Sequence, residues 1–188
     1  MVKRFLQCFV VLCALGVGLK AGEYVIDNAH SRVGFKIKHL KISSVHGDFK
    51  DYSAVIDFDP KSHVFKKLDA TIKVASIDTS NAKRDAHLRS DEFFKAKKYP
   101  DLHFVMQKYE KVNANHGRMT GTLNIAGVSH KVVLQTEVGV TQHQGQNKLG
   151  FSLSGKIKRL DFKLALEKST HLIGDTVVLD IEIEATQK

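Results

Sequence analysis

A single all-β domain of eight or nine antiparallel strands, closed as a barrel or folded as a sandwich, is the fold class the sequence predicts. Three observations carry it. From residue 24 onward apolar and polar side chains alternate with a period of two, which gives each strand one apolar and one polar face. Compact turn signals separate the alternating runs, and short connections favour antiparallel neighbours. The chain has only 2 prolines, neither inside a run, and no linker, repeat or low-complexity stretch marks a second domain.

An edge strand is expected around Tyr24 and Ile26. Val33, Phe35 and Ile37 then alternate with Lys36 and Lys38, and Ile56 and Phe58 stand between Asp57 and Asp59. Leu68, Ala70, Ile72 and Val74 share a face against Asp69, Thr71 and Lys73. Leu102, Phe104 and Met106 make the next set, followed by Met119, Gly121, Leu123 and Ile125. Val132, Leu134, Thr136, Val138 and Val140 oppose Lys131, Gln135 and Glu137. Leu149, Phe151, Leu153, Gly155 and Ile157 follow, and Val177, Leu179, Ile181 and Ile183 oppose Asp180, Glu182 and Glu184. Turns are expected at Asp59-Pro60-Lys61-Ser62, Asn113 to Gly117, Ala126-Gly127-Val128-Ser129 and Gln144-Gly145-Gln146-Asn147. One apolar face per strand implies a single shared interior.

Residues 76 to 104 break the alternation. Thr79 or Ser80 is suited to cap a short helix over Asn81 to Arg89, with Leu88 as its apolar anchor. Ser90 or Asp91 is suited to cap a second turn through Phe93 and Phe94, which Pro100 ends. Two adjacent phenylalanines in a polar loop call for burial, either as a lid over an open barrel end or as a plug in its base.

Residues 1 to 21, MVKRFLQCFVVLCALGVGLKA, have the plan of a secretory signal peptide. Lys3 and Arg4 precede an apolar run from Phe5 to Leu19, and Ala21 supplies a small residue for cleavage. The run is shorter than the ~20 apolar residues of a spanning helix. Both of the chain's 2 cysteines, Cys8 and Cys13, lie in this segment. The domain from residue 22 to 188 therefore has no disulfide, thiolate nucleophile or cysteine-bound zinc available. Export without disulfides fits a bacterial periplasm. Of the 29 basic side chains, Lys3, Arg4 and Lys20 belong to the leader, so 26 remain against 20 acidic ones, a net charge of +6. For an exported basic protein, an anionic lipid headgroup or a transient contact with a membrane surface is a more suitable partner than nucleic acid.

The stretch YVIDNAHSRVGFKIKHLKISSVHGDF, residues 24 to 49, gathers Asp27, His30, Ser31, His39, His46 and Asp48. His30 and Ser31 are adjacent, so on a strand they face opposite ways and cannot act as a base and nucleophile. No G-x-S-x-G occurs in the chain. Ser31 is better placed to satisfy backbone groups where a strand begins. The 10 histidines have no helical metal spacing, although His39 and His46 flank a loop and can converge. Arg84, Asp85 and His87 form the most site-like group: on a helix Arg84 and His87 share a face. They are suited to hold a polar headgroup at a barrel mouth, or to pin the helix to strand ends by ion pairs.

In order along the chain, Y-x-I-D-x-x-H-S-x-V-x-F-x-x-x-H at 24 to 39, H-G-x-F at 46 to 49, S-I-D-T at 76 to 79, R-D-x-H-L-x-S-x-x-F-F at 84 to 94, and G-T-L-N-I-A-G-V-S-H-K-V at 121 to 132 resemble the YceI family. Asn124, Ser129-His130 and Lys163 depart from its usual pattern. The resemblance implies a lipocalin-like antiparallel barrel of eight or nine strands, with the short helical excursion around residues 80–95. It also implies a long apolar tunnel, a polyisoprenoid or similar long-chain amphiphile as ligand, export, and a homodimer.

The expected function is non-enzymatic binding, transport or sequestration of a long-chain lipid or amphiphile, isoprenoid or fatty-acid-derived, with no cofactor required. An isoprenoid quinone is a variant of the same ligand. The expected wall is Phe35, Ile37, Phe49, Phe58, Ile72, Val74, Phe104, Met106, Leu123, Ile125, Phe151 and Leu153, with Leu88, Phe93 and Phe94 closing an end. Arg84, His87 and His30 are the candidates for the ligand head. At ~0.8 kcal/mol per buried CH₂, an 18-carbon chain offers roughly 14 kcal/mol before ordering costs. The rival readings are a lipid-modifying enzyme at the barrel mouth and an envelope interaction protein with a packed barrel.

Overall fold

The computed structural model describes residues 22–188. The expected signal peptide, with Cys8, Cys13 and the cleavage position at Ala21, lies outside the described residues. The strands are β1 (Gly22–Ile26), β2 (Arg32–His39), β3 (Ser43–Phe49), β4 (Tyr52–Asp59), β5 (Val64–Lys73), β6 (Ile77–Asp78), β7 (Asp101–Lys111), β8 (His116–Ile125), β9 (Val128–His143), β10 (Gln146–Lys158) and β11 (Ile173–Gln187), with one helix, α1 (Ala82–Leu88). All pairings are antiparallel. The ring β1-β4-β5-β7-β8-β9-β10-β11 closes on itself through β1 and β11. This is an eight-stranded barrel, which leaves no free edge around its closed part.

Eleven segments make eight positions in the ring because three strands are broken and then continue. β1 and β2 pair with the same strand, Ile26 opposite Ala185 and Arg32 opposite Glu182. Between them Asp27 caps a single 3-10 turn, Asn28–His30, by accepting from the Ala29 amide at 3.0 Å. Ser31 then re-enters the ladder: its hydroxyl accepts from the Glu184 amide at 3.0 Å and donates to the Glu184 carbonyl at 3.3 Å. β3 and β4 are likewise two parts of one strand, pairing with β2 and β1 respectively. β5 runs through the 3-10 turn Val74–Ser76 into β6, which pairs with β3 at Asp48 and Phe49. Composition hides β3, because Ser-Ser-Val-His-Gly-Asp-Phe has little apolar alternation.

One end of the barrel is filled. Tyr24, Phe58 and Phe65 are all buried. Phe58 and Phe65 stand 4.9 Å apart between centroids, and Phe65 meets Tyr109 at 5.2 Å and Phe151 at 5.1 Å. Such ring contacts, edge-on for Phe65 with Tyr109 and Phe151, add ~0.5–1.5 kcal/mol each beyond the area they bury. The buried Thr136 hydroxyl donates to the Tyr109 hydroxyl at 3.2 Å, so the polar tip of that ring is satisfied. The hairpins at this end include Gln144-Gly145, with φ of 51° and 77°. At the opposite end Ala126-Gly127, with φ of 50° and 81°, makes the same kind of two-residue turn.

The excursion between β6 and β7 differs from expectation in its caps. α1 begins after Asn81, whose side chain accepts from the Arg84 amide at 2.9 Å. Thr79 is not free for capping, since its hydroxyl and amide both donate to buried Asp85. Ser80 is also unsuited, being in the left-handed region at φ 59°. Phe93 and Phe94 lie in the expected second turn: the Ser90 carbonyl accepts from the Phe93 amide at 3.1 Å and the Lys95 amide at 2.9 Å.

Candidate functional site

Above the aromatic plug the interior is a cavity of about 500 Å³, within the ~300–1,000 Å³ usual for small-molecule sites. Inward positions of β2, β3, β4, β5, β7, β8, β9, β10 and β11 supply its wall. Of the residues expected there, Phe35, Ile37, Phe49, Ile72, Phe104, Leu123, Ile125, Phe151 and Leu153 line it, and so do Leu88, Phe93, Phe94, Arg84 and His87 from the excursion. Two glycines decide where its rings lie. A Cβ on Gly47 would meet the Phe35 ring, and one on Gly121 would meet the Phe104 ring, so each ring crosses the neighbouring strand at a residue with no side chain.

Four expected residues are elsewhere. Phe58 belongs to the plug, packed against Tyr24 and Phe65. Val74 is fully buried in the turn that carries β5 into β6. Met106 packs on the core beside the bulge between Met106 and Lys108, where the alternation of β7 slips. His30 is an exposed turn residue whose Nδ1 lies 3.0 Å from Asp27, a bond that raises the imidazole pKa and lowers that of the carboxyl.

The open end carries the polar groups. Arg84 Nε donates to the Thr79 hydroxyl at 2.8 Å and Nη2 to the Thr79 carbonyl at 2.7 Å. The guanidinium is thus oriented by hydrogen bonds, with no carboxylate paired to it among the described residues. Asp85 accepts from the amide and the hydroxyl of the same Thr79. The group pins the excursion through Thr79 rather than through ion pairs to strand ends. His87 Nε2 lies 2.7 Å from Glu92, whose other oxygen is 3.0 Å from Lys168 Nζ. The His87 bond, then Lys168, holds the Glu92 carboxyl below its ordinary pKa.

Phe93 is buried and meets the His87 ring edge-on at 5.0 Å, and Phe94 meets Phe49 at 6.0 Å. The pair therefore sits over the open end rather than in the base. Polar lining residues are Lys38, His39, Arg84, His87, Arg159 and Lys168 with Ser53, so no carboxylate faces the cavity among the described residues.

Arg159 and Lys168 were not expected at the site. Arg159 is buried and donates to five carbonyls, those of Gly174, Leu164, Ala165, Lys168 and Ile173. Burial lowers its pKa, opposed by nearby Asp175. It shapes the loop 159–172 from within, so Leu164 and Leu172 reach the cavity. One arginine in a loop gives no sequence signal of that role, because its acceptors are backbone groups. The other unforeseen wall residues, such as Val45, Tyr52 and Ala54, come from strands with weak alternation.

His39 and His46 do not converge. His39 opposes Ser43 and His46 opposes Lys36, three rungs apart on the β2–β3 ladder. Asp27, His30 and Glu184 do place one ligand-capable atom each within 4.8 Å of the others. Asp27 is held there by its bonds to the Ala29 amide and His30, and Glu184 pairs with Lys148 at 3.5 Å.

Comparison with known proteins agrees with the geometry. The chain matches the YceI-like domain over residues 24–185. It is 39% identical over 146 residues to the UPF0312 protein plu2095 of Photorhabdus laumondii, covering 76% of each chain. The crystal structure of the Campylobacter jejuni YCEI protein superposes with a TM-score of 0.77 at 52% identity, over 98% of this chain and 99% of that one. A polyisoprenoid binding domain from Saccharophagus degradans, implicated in plant cell wall breakdown, shares the fold at 17% identity, with a TM-score of 0.68 over 90% of this chain and 100% of that one. A closed eight-stranded barrel with an apolar cavity, an excursion carrying R-D-x-H-L over its open end, and a match across nearly the whole described chain have one reading: the protein belongs to the YceI-like domain family.

Proposed function

We propose that the protein is a non-enzymatic carrier or scavenger of a long-chain amphiphile, isoprenoid or fatty-acid-derived, held with its chain in the barrel and its head at the open end. One observation carries this reading: a cavity of about 500 Å³ whose wall is apolar and whose polar lining is gathered at one end, apart from Ser53. Water in such a space is poorly hydrogen-bonded, and an alkyl or prenyl chain replaces it with a gain of ~0.8 kcal/mol per CH₂. The head falls beside Arg84 and His87. Arg84 offers donors and no acceptor, which favours a head rich in acceptor oxygens. The polyisoprenoid-binding fold neighbour supports the ligand class, and a quinone head is one member of it. Export with cleavage near Ala21, residence in the bacterial envelope and pairing as a homodimer belong to the same proposal. N-terminal sequencing, fractionation and sedimentation test them.

The deciding experiment is native mass spectrometry of protein purified from its own envelope, followed by organic extraction. A long-chain amphiphile should leave with the protein. Ala54 and Ala70 face each other across β4 and β5 and both line the cavity. The A54F/A70F double variant should lose uptake of a fluorescent long-chain lipid while remaining folded. Wild-type protein that yields no apolar ligand and takes up no such lipid would overturn the carrier reading.

A further inference from the structure

The cavity opens among three segments: the β2–β3 hairpin around residues 38–42, the excursion 79–100, and the loop 159–172. The hairpin and the loop are tied by the Leu40 amide donating to the Leu172 carbonyl at 3.0 Å. The loop and the excursion are tied by the Ala165 amide donating to the Glu92 carbonyl at 2.8 Å.

These segments hold the protein's surplus charge. Of the 26 basic and 20 acidic side chains in residues 22–188, 11 basic and five acidic ones lie here, leaving 15 of each sign on the rest. The whole net charge of +6 therefore sits on this rim, and the remainder of the barrel is neutral. Apolar side chains stand among these charges. Ile42 is 83% exposed and Leu166 57%, with Leu40 and Leu172 also exposed. Leu40 and Lys41 are both left-handed, at φ of 51° and 61°, without a glycine between them. A turn that normally selects Asn-Gly here keeps a leucine and a lysine and is followed by an isoleucine.

We propose that this rim docks on an anionic membrane surface and that a ligand passes between bilayer and cavity through it; the passage, though not the docking, rests on the carrier reading. Lysines attract the anionic headgroups. The four apolar side chains enter the boundary region, as interfacial segments do. Because the cavity mouth lies within the contact, a lipid chain need not cross bulk water.

The test is flotation of full-length mature protein with vesicles of phosphatidylcholine, alone or mixed with phosphatidylglycerol. Binding should require phosphatidylglycerol and fall sharply between about 0.1 and 1 M salt, where the screening length drops from ~10 to ~3 Å. At about fivefold per lysine near the surface, K41Q/K83Q/K97Q should weaken binding about a hundredfold. K61Q/K66Q/R118Q, away from the rim, should leave it unchanged. I42S/L166S should keep the salt dependence but slow transfer of an anthroyloxy-stearate between vesicles, with uptake of the same probe from vesicle-free solution intact.

Equal binding to both vesicle types, or equal weakening by the two charge variants, would overturn the proposal. So would a dimer that I42S/L166S dissociates in protein that binds neither vesicle, since the rim would then be a self-interface. If the protein binds anionic vesicles through these residues yet takes up no probe from solution, docking stands and the carrier reading falls.

Discussion

Glu92 and Lys168 form a 3.0 Å ion pair that joins the excursion after β6 to the loop after β10, and His87 bonds the same carboxylate at 2.7 Å. The tie depends on a charged Glu92, whose pKa is held below its ordinary value of 4.5, first by His87. It is therefore fully present above about that pH and is lost as pH falls through the lowered value. Glu92→Gln should speed amide exchange at Ala165, which donates to the Glu92 carbonyl. It should also remove the acid dependence of that exchange. Hydrogen-exchange mass spectrometry of residues 160–172 measures both.

Arg159 should be the most sensitive polar position in the rim. Arg159→Ala removes a donor from five carbonyls, of which that of Ala165 keeps the Lys168 amide, and unsatisfied buried acceptors cost ~1–3 kcal/mol each where water cannot replace the donor. A loss of at least ~3 kcal/mol in urea unfolding is expected. Arg159→Lys should recover little, because an ammonium has three donors and no planar fork.

The base plug should be separable from the cavity. Phe65 is buried against Phe58, Tyr109 and Phe151, so Phe65→Ala should cost ~3–5 kcal/mol. In protein that still folds, the truncation extends the interior toward the closed end. Longer-chain probes should then gain affinity relative to shorter ones, as read by competition against a fluorescent lipid.

His30 and Asp27 predict a pH window rather than an active site. The imidazole pKa is raised and the carboxyl pKa lowered, each chiefly by their shared hydrogen bond. Stabilisation from His30 is present below its ordinary value of 6.5 and lost as pH rises through the raised one. That from Asp27 is present above 3.8 and lost as pH falls through the lowered one. Asp27→Asn should return the His30 titration, followed by NMR, to an ordinary value, with lipid uptake unaffected.

Alternation made most of the barrel legible. Val33, Phe35 and Ile37 oppose lysines because a strand has two faces, and that pattern survives any arrangement of the strands around it. The strand argument that set Ser31 and His30 apart does not apply, because His30 lies in a 3-10 turn, but Ser31 bonds the Glu184 backbone as expected at a strand entry. It failed where the backbone departs from a plain ladder. Met106 stands at a bulge, Val74 in a 3-10 turn, and β3 has too few apolar residues to register a period.

By itself the sequence determined which side chains turn inward, where most turns fall and that the domain from residue 22 onward has no thiol chemistry. Tertiary structure alone decided that the interior is hollow. An inward phenylalanine reads the same whether it meets another ring, as Phe58 does, or a cavity, as Phe35 does. The difference lies in how eight strands space their walls, and no local pattern encodes that distance. Closure also decided the charge: lysines scattered over three separate segments become one cationic rim only when the barrel brings those segments to a single end.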